Sequence, residues 1–137
     1  MIVVDNNILA HFWLPSEHSM HCEELFRWDP EWVAPVLWKS EFRNVITLYL
    51  RKNLIDLPDA IRITEKAAMQ MQEREFHVNS VQVYSLAVKS GCSAYDCEFV
   101  SLAEELDVKL ITFDKQILRA FPNRAAKPTD ALPRPPA

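Results

Sequence analysis

The chain has 137 residues, of which 49% are hydrophobic, so it can form one domain with a proper core and is too short for two ordinary domains. Its formal net charge of -4 excludes a uniformly basic nucleic-acid-binding surface, so any polyanion must be bound through a local patch or a cation. The single glycine, Gly91, excludes the glycine-rich loops of Walker and dinucleotide-binding proteins.

The three cysteines, Cys22, Cys92 and Cys97, are odd in number, and no charged and then apolar signal segment precedes the first predicted strand. These features predict a cytoplasmic protein with reduced thiols. No apolar run approaches the roughly 20 residues that a membrane helix requires, so we expect a soluble protein with no membrane partner.

Predicted strands and helices alternate along the chain. Runs rich in β-branched residues predict strands at 2–4 and 108–113, and a shorter run predicts one at 32–34. Apolar residues at helical spacing predict helices at 19–28, 40–51, 59–76, 81–89 and 93–106. This alternation predicts an α/β fold with a parallel sheet covered on both faces.

Two helix ends and one buried face follow from particular residues. Pro58 favours a helix start at 59, and Gly91 favours the end of the helix over 81–89. The helix over 93–106 is predicted to bury one side, which carries Tyr95, Phe99, Leu102, Ala103 and Leu106.

The domain is expected to cover residues 1–125. Residues 126–137 form a proline-rich tail that carries little apolar material for packing, and we expect an extended C-terminal segment there.

Four acidic residues lie unusually close to apolar segments. Asp5 and Asp114 each follow a predicted strand, and the carboxyl ends of parallel strands open at one edge of a sheet, so these two acids should meet. Asp96 precedes Phe99 by three positions, on the side of its helix that should face the sheet. Glu41 lies at the edge of the buried face of its own helix.

A buried lone carboxylate costs several kcal/mol, so four such acids near a core call for a compensating charge. Oxygen ligands without sulfur or imidazole suit Mg²⁺ or Mn²⁺, and a cation in such a cage supports metal-assisted cleavage of phosphodiesters. The alternative for each acid is a structural role. Asp5 and Asp114 could cap the helices that follow them, and Asp96 could lie in the first turn of its helix.

Four segments resemble the motifs of PIN-domain nucleases, in the same order and at similar spacing: IVVDNNIL, KSEFRNV, SAYDCEFVSLAEEL and KLITFDKQIL. The resemblance covers residues 1–122. It implies a three-layer α/β/α sandwich with a central parallel sheet and a Mg²⁺- or Mn²⁺-dependent endoribonuclease activity, in which a metal-activated water cleaves RNA and leaves 3′-hydroxyl and 5′-phosphate ends.

The resemblance also implies roles for particular residues. Asn7 and Thr112 match supporting polar positions, whereas Asn6 and Gln116 depart from the family pattern, since a hydroxyl residue and, in some members, a further acid are usual there. The residues implied to bind metal and to catalyse are Asp5, Glu41, Asp96 and Asp114.

The small size and the lone domain make the chain similar to VapC-type toxins of toxin-antitoxin pairs. This likeness implies an antitoxin protein as a partner and a homodimer. Two other functions stay open. The departures at Asn6 and Gln116 leave room for a non-catalytic PIN-like module that binds RNA or a protein, and the second alternative is a DNA-directed nuclease of the same fold.

Three other groups of side chains have competing explanations. Basic residues near the acids could contact RNA phosphates or simply be solvated: Lys39, Arg43, Lys115 and Arg119. His18, His21 and Cys22 could bind a soft metal, although a helix surface explains their spacing better. Aromatic residues of the first third could stack on bases, pack in the core, or form an antitoxin groove or self-interface: Phe12, Trp13, Phe26, Trp28, Trp32 and Trp38.

Overall fold

The computed structural model describes residues 1–133, which contain five strands and eight helices. The strands are β1 (Ile2–Val4), β2 (Trp32–Pro35), β3 (Glu75–Phe76), β4 (Leu110–Ile111) and β5 (Ala125–Ala126). The helices are α1 (Asn6–Trp13), α2 (Ser19–Trp28), α3 (Trp38–Arg51), α4 (Leu57–Gln70), α5 (Ser80–Ser90), α6 (Ala94–Leu106), α7 (Lys115–Ala120) and α8 (Pro128–Ala131).

The strands form one parallel sheet in the order β3-β2-β1-β4-β5. Helix α6 packs against β1 and β2 with α5 beside it, and α1 packs against α2 and α3. The predicted α/β fold, a three-layer α/β/α sandwich around a central parallel sheet, is therefore confirmed. Because the middle strands are covered on both faces, all three residues of β1 are buried.

The apolar spacing identified α2 to α6, whereas α1, α7 and α8 were not among the predicted helices. The other differences lie at helix edges. The helix predicted over 59–76 is wrong at its end, because α4 stops at Gln70 and β3 follows it. Glu73 has a left-handed backbone with φ 64, which interrupts the helix before that two-residue strand. Helix α6 buries Phe99 and Leu102, but Tyr95 is 63% exposed and does not belong to the buried face.

The expected extended tail is wrong in its first part. Ala126 belongs to β5, which pairs with β4, and Pro128 begins α8 and is buried. Proline is well suited to the first turn of a helix, because the N–H that it lacks would have no intrahelical partner there. Residues 134–137 of the predicted tail lie outside the described residues. Within residues 1–133 no helix is both long and apolar enough to cross a membrane.

Gly91 ends α5 in a left-handed conformation with φ 76, as the sequence predicted for a helix end. A Cβ atom added there would meet no atom within 4 Å, so the cost of a side chain is purely conformational. We expect Gly91→Ala to lower the free energy of unfolding by about 1 kcal/mol, measured by urea denaturation. Gly91→Asn should cost less, because asparagine tolerates this region; equal stability of all three proteins would contradict the assignment.

Candidate active site

The candidate site lies where the two central strands end. Strands β1 and β4 are neighbours with Val4 paired to Ile111, and the N–H of Asp5 donates to the Ile111 carbonyl at 2.9 Å. Asp5 and the residues after β4 therefore leave the sheet side by side. Asp5 is only 7% exposed.

Three donors hold the Asp5 carboxylate. The Thr112 hydroxyl donates to Oδ2 at 2.7 Å, and the Asn7 amide donates to the same oxygen at 3.4 Å. The Asn6 N–H donates to Oδ1 at 2.7 Å, so Asp5 also caps α1. The capping role and a position in the acid cluster, which the sequence left as alternatives, are thus both present.

Thr112 and Asn7 connect the first strand end to the second. The buried Thr112 hydroxyl accepts a hydrogen bond from the Asp114 N–H at 2.9 Å and from the Asn7 amide at 3.3 Å, while Asn7 Oδ1 accepts from the Phe113 N–H at 3.2 Å. Asp114 in turn caps α7 by accepting from the Ile117 N–H at 2.9 Å. The backbone path of this segment is thereby fixed relative to Asp5.

Helices α6 and α3 bring the other two acids to the same place. Ser93 caps α6 by accepting from the Asp96 N–H at 3.0 Å, and Asp96 is half-buried in the first turn. Glu41 lies in the first turn of α3 and is also half-buried.

The acids lie close enough to raise one another's pKa. Burial, together with Asp96 and Asp114, raises the pKa of Asp5 to about 6, although the bonds from Thr112 and Asn6 oppose the shift. Burial, together with Asp5, Asp96 and Glu98, raises the pKa of Glu41 to about 7. Burial and Asp114 raise the pKa of Asp96 as well. The structure therefore brings all four predicted acids into one negative field.

No lysine, arginine or histidine of residues 1–133 forms an ion pair with any of these four carboxylates. The Glu41 Oε1 atom is buried and has no hydrogen-bond partner within the same residues. In donor type and charge the acids therefore suit a hard divalent cation. No three acidic, histidine or cysteine side chains of residues 1–133 converge closely enough to enclose an ion, so binding would require the carboxylates to draw together.

Asn6 and Glu41 line one cavity of about 490 Å³ beside the acids, together with Leu37, Ser40, Asn44, Val45 and Tyr95. The Asn6 Oδ1 atom is buried without a hydrogen-bond partner among the described residues. Gln116, the other departure, is exposed and donates to the Gly91 carbonyl at 3.3 Å.

Sequence reasoning missed Glu98, which lies two residues after Asp96 on α6. Its proximity helps to raise the pKa of Glu41, and burial raises its own pKa. Position i+2 on a helix normally points away from residue i, so the spacing alone gave no sign that Glu98 belongs to the field.

The predicted basic contacts lie on two helices. Lys39 is half-buried and Arg43 exposed on α3, whereas Lys115 and Arg119 are exposed on α7. All four lack an ion-pair partner within residues 1–133.

The described residues do not support the soft-metal alternative. Cys22 is fully buried and burial raises the pKa of its thiol to about 12, so it is not available as a thiolate beside His18 and His21.

Core packing explains most of the aromatic cluster. Trp32 and Trp38 are fully buried. The rings of Phe12 and Phe26 pack on Trp32, with their centroids 5.1 and 5.3 Å from that of Trp32. Trp28 is 48% exposed. A cavity of about 430 Å³ is lined by Phe12, Trp13, Phe26, Lys66, Met69 and Gln70.

The comparisons with known proteins agree with this fold. The protein-family model described as PIN domain matches residues 2–122. Ribonuclease VapC3 of Pyrobaculum aerophilum is 27% identical over 124 residues, which cover 88% of this chain and 95% of that protein.

Two solved structures are similar. The crystal structure of PAE2754 from Pyrobaculum aerophilum has a TM-score of 0.75 at 19% identity and covers 94% of this chain and 91% of its own. The crystal structure of FitAcB from Neisseria gonorrhoeae has a TM-score of 0.70 at 15% identity and covers 94% and 99%.

The raised pKa of Glu41 predicts how metal-free stability depends on pH. Between its ordinary pKa of 4.5 and about 7 the folded protein keeps a proton that the unfolded chain loses, so the contribution of Glu41 to stability falls as the pH rises through this window. We expect Glu41→Gln to raise the Tm at pH 8 by roughly 3 °C and to change it little at pH 4. Calorimetry in the presence of EDTA measures these Tm values. An equal change in Tm at pH 4 and at pH 8 would show that Glu41 does not titrate between them.

Thr112 is predicted to be a positioning residue for Asp5 and Asp114. Thr112→Val keeps the shape of the side chain but leaves a buried carboxylate without one of its two closest donors, which should cost about 1–3 kcal/mol in the free energy of unfolding. Thr112→Ser keeps the hydroxyl and should recover most of that loss. Urea denaturation of both variants compares them, and equal stabilities of the serine and valine variants would contradict the role.

Proposed function

The chain belongs to the PIN-domain family, and from this premise we propose that it is a cytoplasmic, Mg²⁺- or Mn²⁺-dependent endoribonuclease that hydrolyses RNA phosphodiester bonds. The observation that carries the proposal is the group of four mutually repelling carboxylates at the carboxyl edge of the sheet, which no cationic side chain of residues 1–133 neutralises. The name of the curated relative, Ribonuclease VapC3, supports RNA as the substrate.

Asp5 and Asp96 would hold the cation, and Glu41 and Asp114 would complete its surroundings directly or through water. A bound Mg²⁺ or Mn²⁺ would supply charge neutralisation of the phosphodiester and a more acidic water. The chain itself orients the oxygens: Thr112 and Asn7 fix Asp5, and the cap on α7 fixes Asp114.

We also propose that the enzyme is the toxin of a toxin-antitoxin pair, because its curated relative carries a VapC name. The cavity that Phe12, Trp13 and Phe26 line is open and apolar, which suits a hydrophobic segment of an antitoxin.

A homodimer is the further part of this proposal. Large apolar side chains lie exposed around the connection between α3 and α4, and a second copy of the chain could cover them: Leu48, Leu54, Leu57 and Ile61.

Cleavage of a labelled RNA pool tests the function. The purified protein should cut RNA with Mg²⁺ or Mn²⁺ and stop with EDTA, and Asp96→Asn should lower the rate by at least about 100-fold. Glu105→Gln, which removes an exposed acid from the same helix, is the matched control and should cut at the parent rate.

The same experiment separates the other candidates. Preferential cutting of single-stranded DNA would favour the DNA-directed nuclease. Absence of cutting by folded protein that binds Mg²⁺, as shown by a rise in Tm with the ion, would overturn the enzyme and favour a non-catalytic binding module.

A further inference from the structure

A further cavity, of about 280 Å³, lies beside the segment that follows β4. It is lined by His18, His21, Phe113, Lys115, Lys127 and Thr129. None of these lining residues is acidic. In a chain whose formal net charge is -4, a cavity lined by two lysines and by no acidic residue is an unusual concentration of positive charge.

The cavity and the acid cluster share one backbone segment. Phe113 and Lys115, which line the cavity, flank Asp114 directly, and the Phe113 N–H is held by Asn7, the residue that also bonds Asp5. The hydrogen bonds that place the acids therefore also place this wall of the cavity.

Aromatic rings pack along this wall. The His18 ring stacks on Phe113 with centroids 4.4 Å apart and planes 29° from parallel, and the His11 and Phe113 ring centroids lie 5.4 Å apart with nearly perpendicular planes. The His21 Nδ1 atom is buried without a hydrogen-bond partner in the part of the chain that the structure describes. The only carboxylate paired with a lining side chain there is Glu17, which lies 3.4 Å from His18.

The two lysines are available for a ligand. Lys115 and Lys127 are exposed, and neither forms an ion pair with a carboxylate of residues 1–133. Lys127 directly precedes α8 and Thr129 lies within it, beyond residues 2–122 that match the family model. The C-terminal segment therefore supplies one half of the cavity.

The acids of the cluster repel a polyanion, and only a bound cation there would attract one. Further affinity for RNA must therefore come from cationic groups outside the cluster. We propose that this cavity binds a backbone phosphate of the RNA substrate next to the scissile bond, with Lys115 and Lys127 contacting the phosphate oxygens and Thr129 donating a hydrogen bond. This rests on the proposed function and adds the site that positions the strand.

The test measures binding of a short, fluorescein-labelled single-stranded RNA by anisotropy over a potassium chloride series. Asp96→Asn protein with Mg²⁺ is the parent, so that the RNA stays intact. Adding Lys127→Ala should weaken binding about five- to tenfold and reduce the salt slope by about 0.7, the value for one lost phosphate contact on a single strand. Lys127→Arg should restore both quantities, because it keeps the charge.

The matched control is Lys89→Ala, which removes an exposed lysine from the last turn of α5, outside the lining of the cavity. It should leave the affinity and the slope close to those of the parent. If Lys127→Ala lowers the Tm as well, Lys115→Ala repeats the measurement from the other wall and should weaken binding by a similar factor.

The outcomes separate this proposal from the function on which it rests. If the unsubstituted protein cuts RNA but Lys127→Ala and Lys115→Ala bind like Lys89→Ala, the cavity does not contact the substrate and this proposal is overturned alone. The same result is expected if the lysines serve an acidic peptide instead. If the unsubstituted protein neither cuts nor binds RNA, both proposals fail.

Discussion

The pairing of β1 with β4 places a buried carboxylate at the carboxyl edge of the sheet, and the rest of the site depends on how that carboxylate is held. Asp5 emerges beside Thr112 because Val4 and Ile111 are in register. A one-residue shift in that register would turn the Thr112 hydroxyl to the opposite face of the sheet. Asp5 would then lose its 2.7 Å donor, and Asp114 would lose the acceptor that fixes its backbone.

Hydrogen bonds alone do not offset the cost of burying these acids close together. The donors from Thr112 and Asn6 lower the pKa of Asp5, yet burial and the neighbouring acids outweigh them and raise it to about 6. Glu41 has a similarly raised pKa and lacks even a partner for Oε1 among the described residues. The domain therefore gives up stability near neutral pH to keep its acids together, which is typical of sites selected for a ligand rather than for folding.

The sequence was informative about the acids for a simple physical reason. Asp5 follows a β-branched run directly, and Asp96 lies on the apolar side of a helix. A carboxylate in either place contradicts the local apolar pattern, and such contradictions mark positions where the tertiary structure must provide a compensating interaction. Their meeting followed from the geometry of parallel sheets. Thr112 and Asn7 could be named through the family resemblance, but the hydrogen bonds between them required the fold.

What escaped the sequence was short or rich in proline. Strands of two residues, β3 and β5, are too brief to show an alternating pattern, and their partners are distant in the chain. Proline content suggested an extended segment after residue 126, whereas Pro128 suits the first turn of a helix. Tyr95 shared the helical spacing of the buried stripe but lies in the first turn of α6, where it is exposed.

The ordered C-terminal segment, which the proline content did not predict, matters because it contributes Lys127 and Thr129 to the cavity. The carboxylates and their supporting residues all fall within residues 2–122, the part that matches the PIN domain, whereas Lys127 and Thr129 do not. Cleavage of a phosphodiester needs the same carboxylate oxygens whatever the RNA sequence. Holding an RNA strand in one position needs contacts away from the reacting atoms. Lys127 and Thr129 line the cavity and not the acid cluster, so the contacts that they make can change without disturbing the acids.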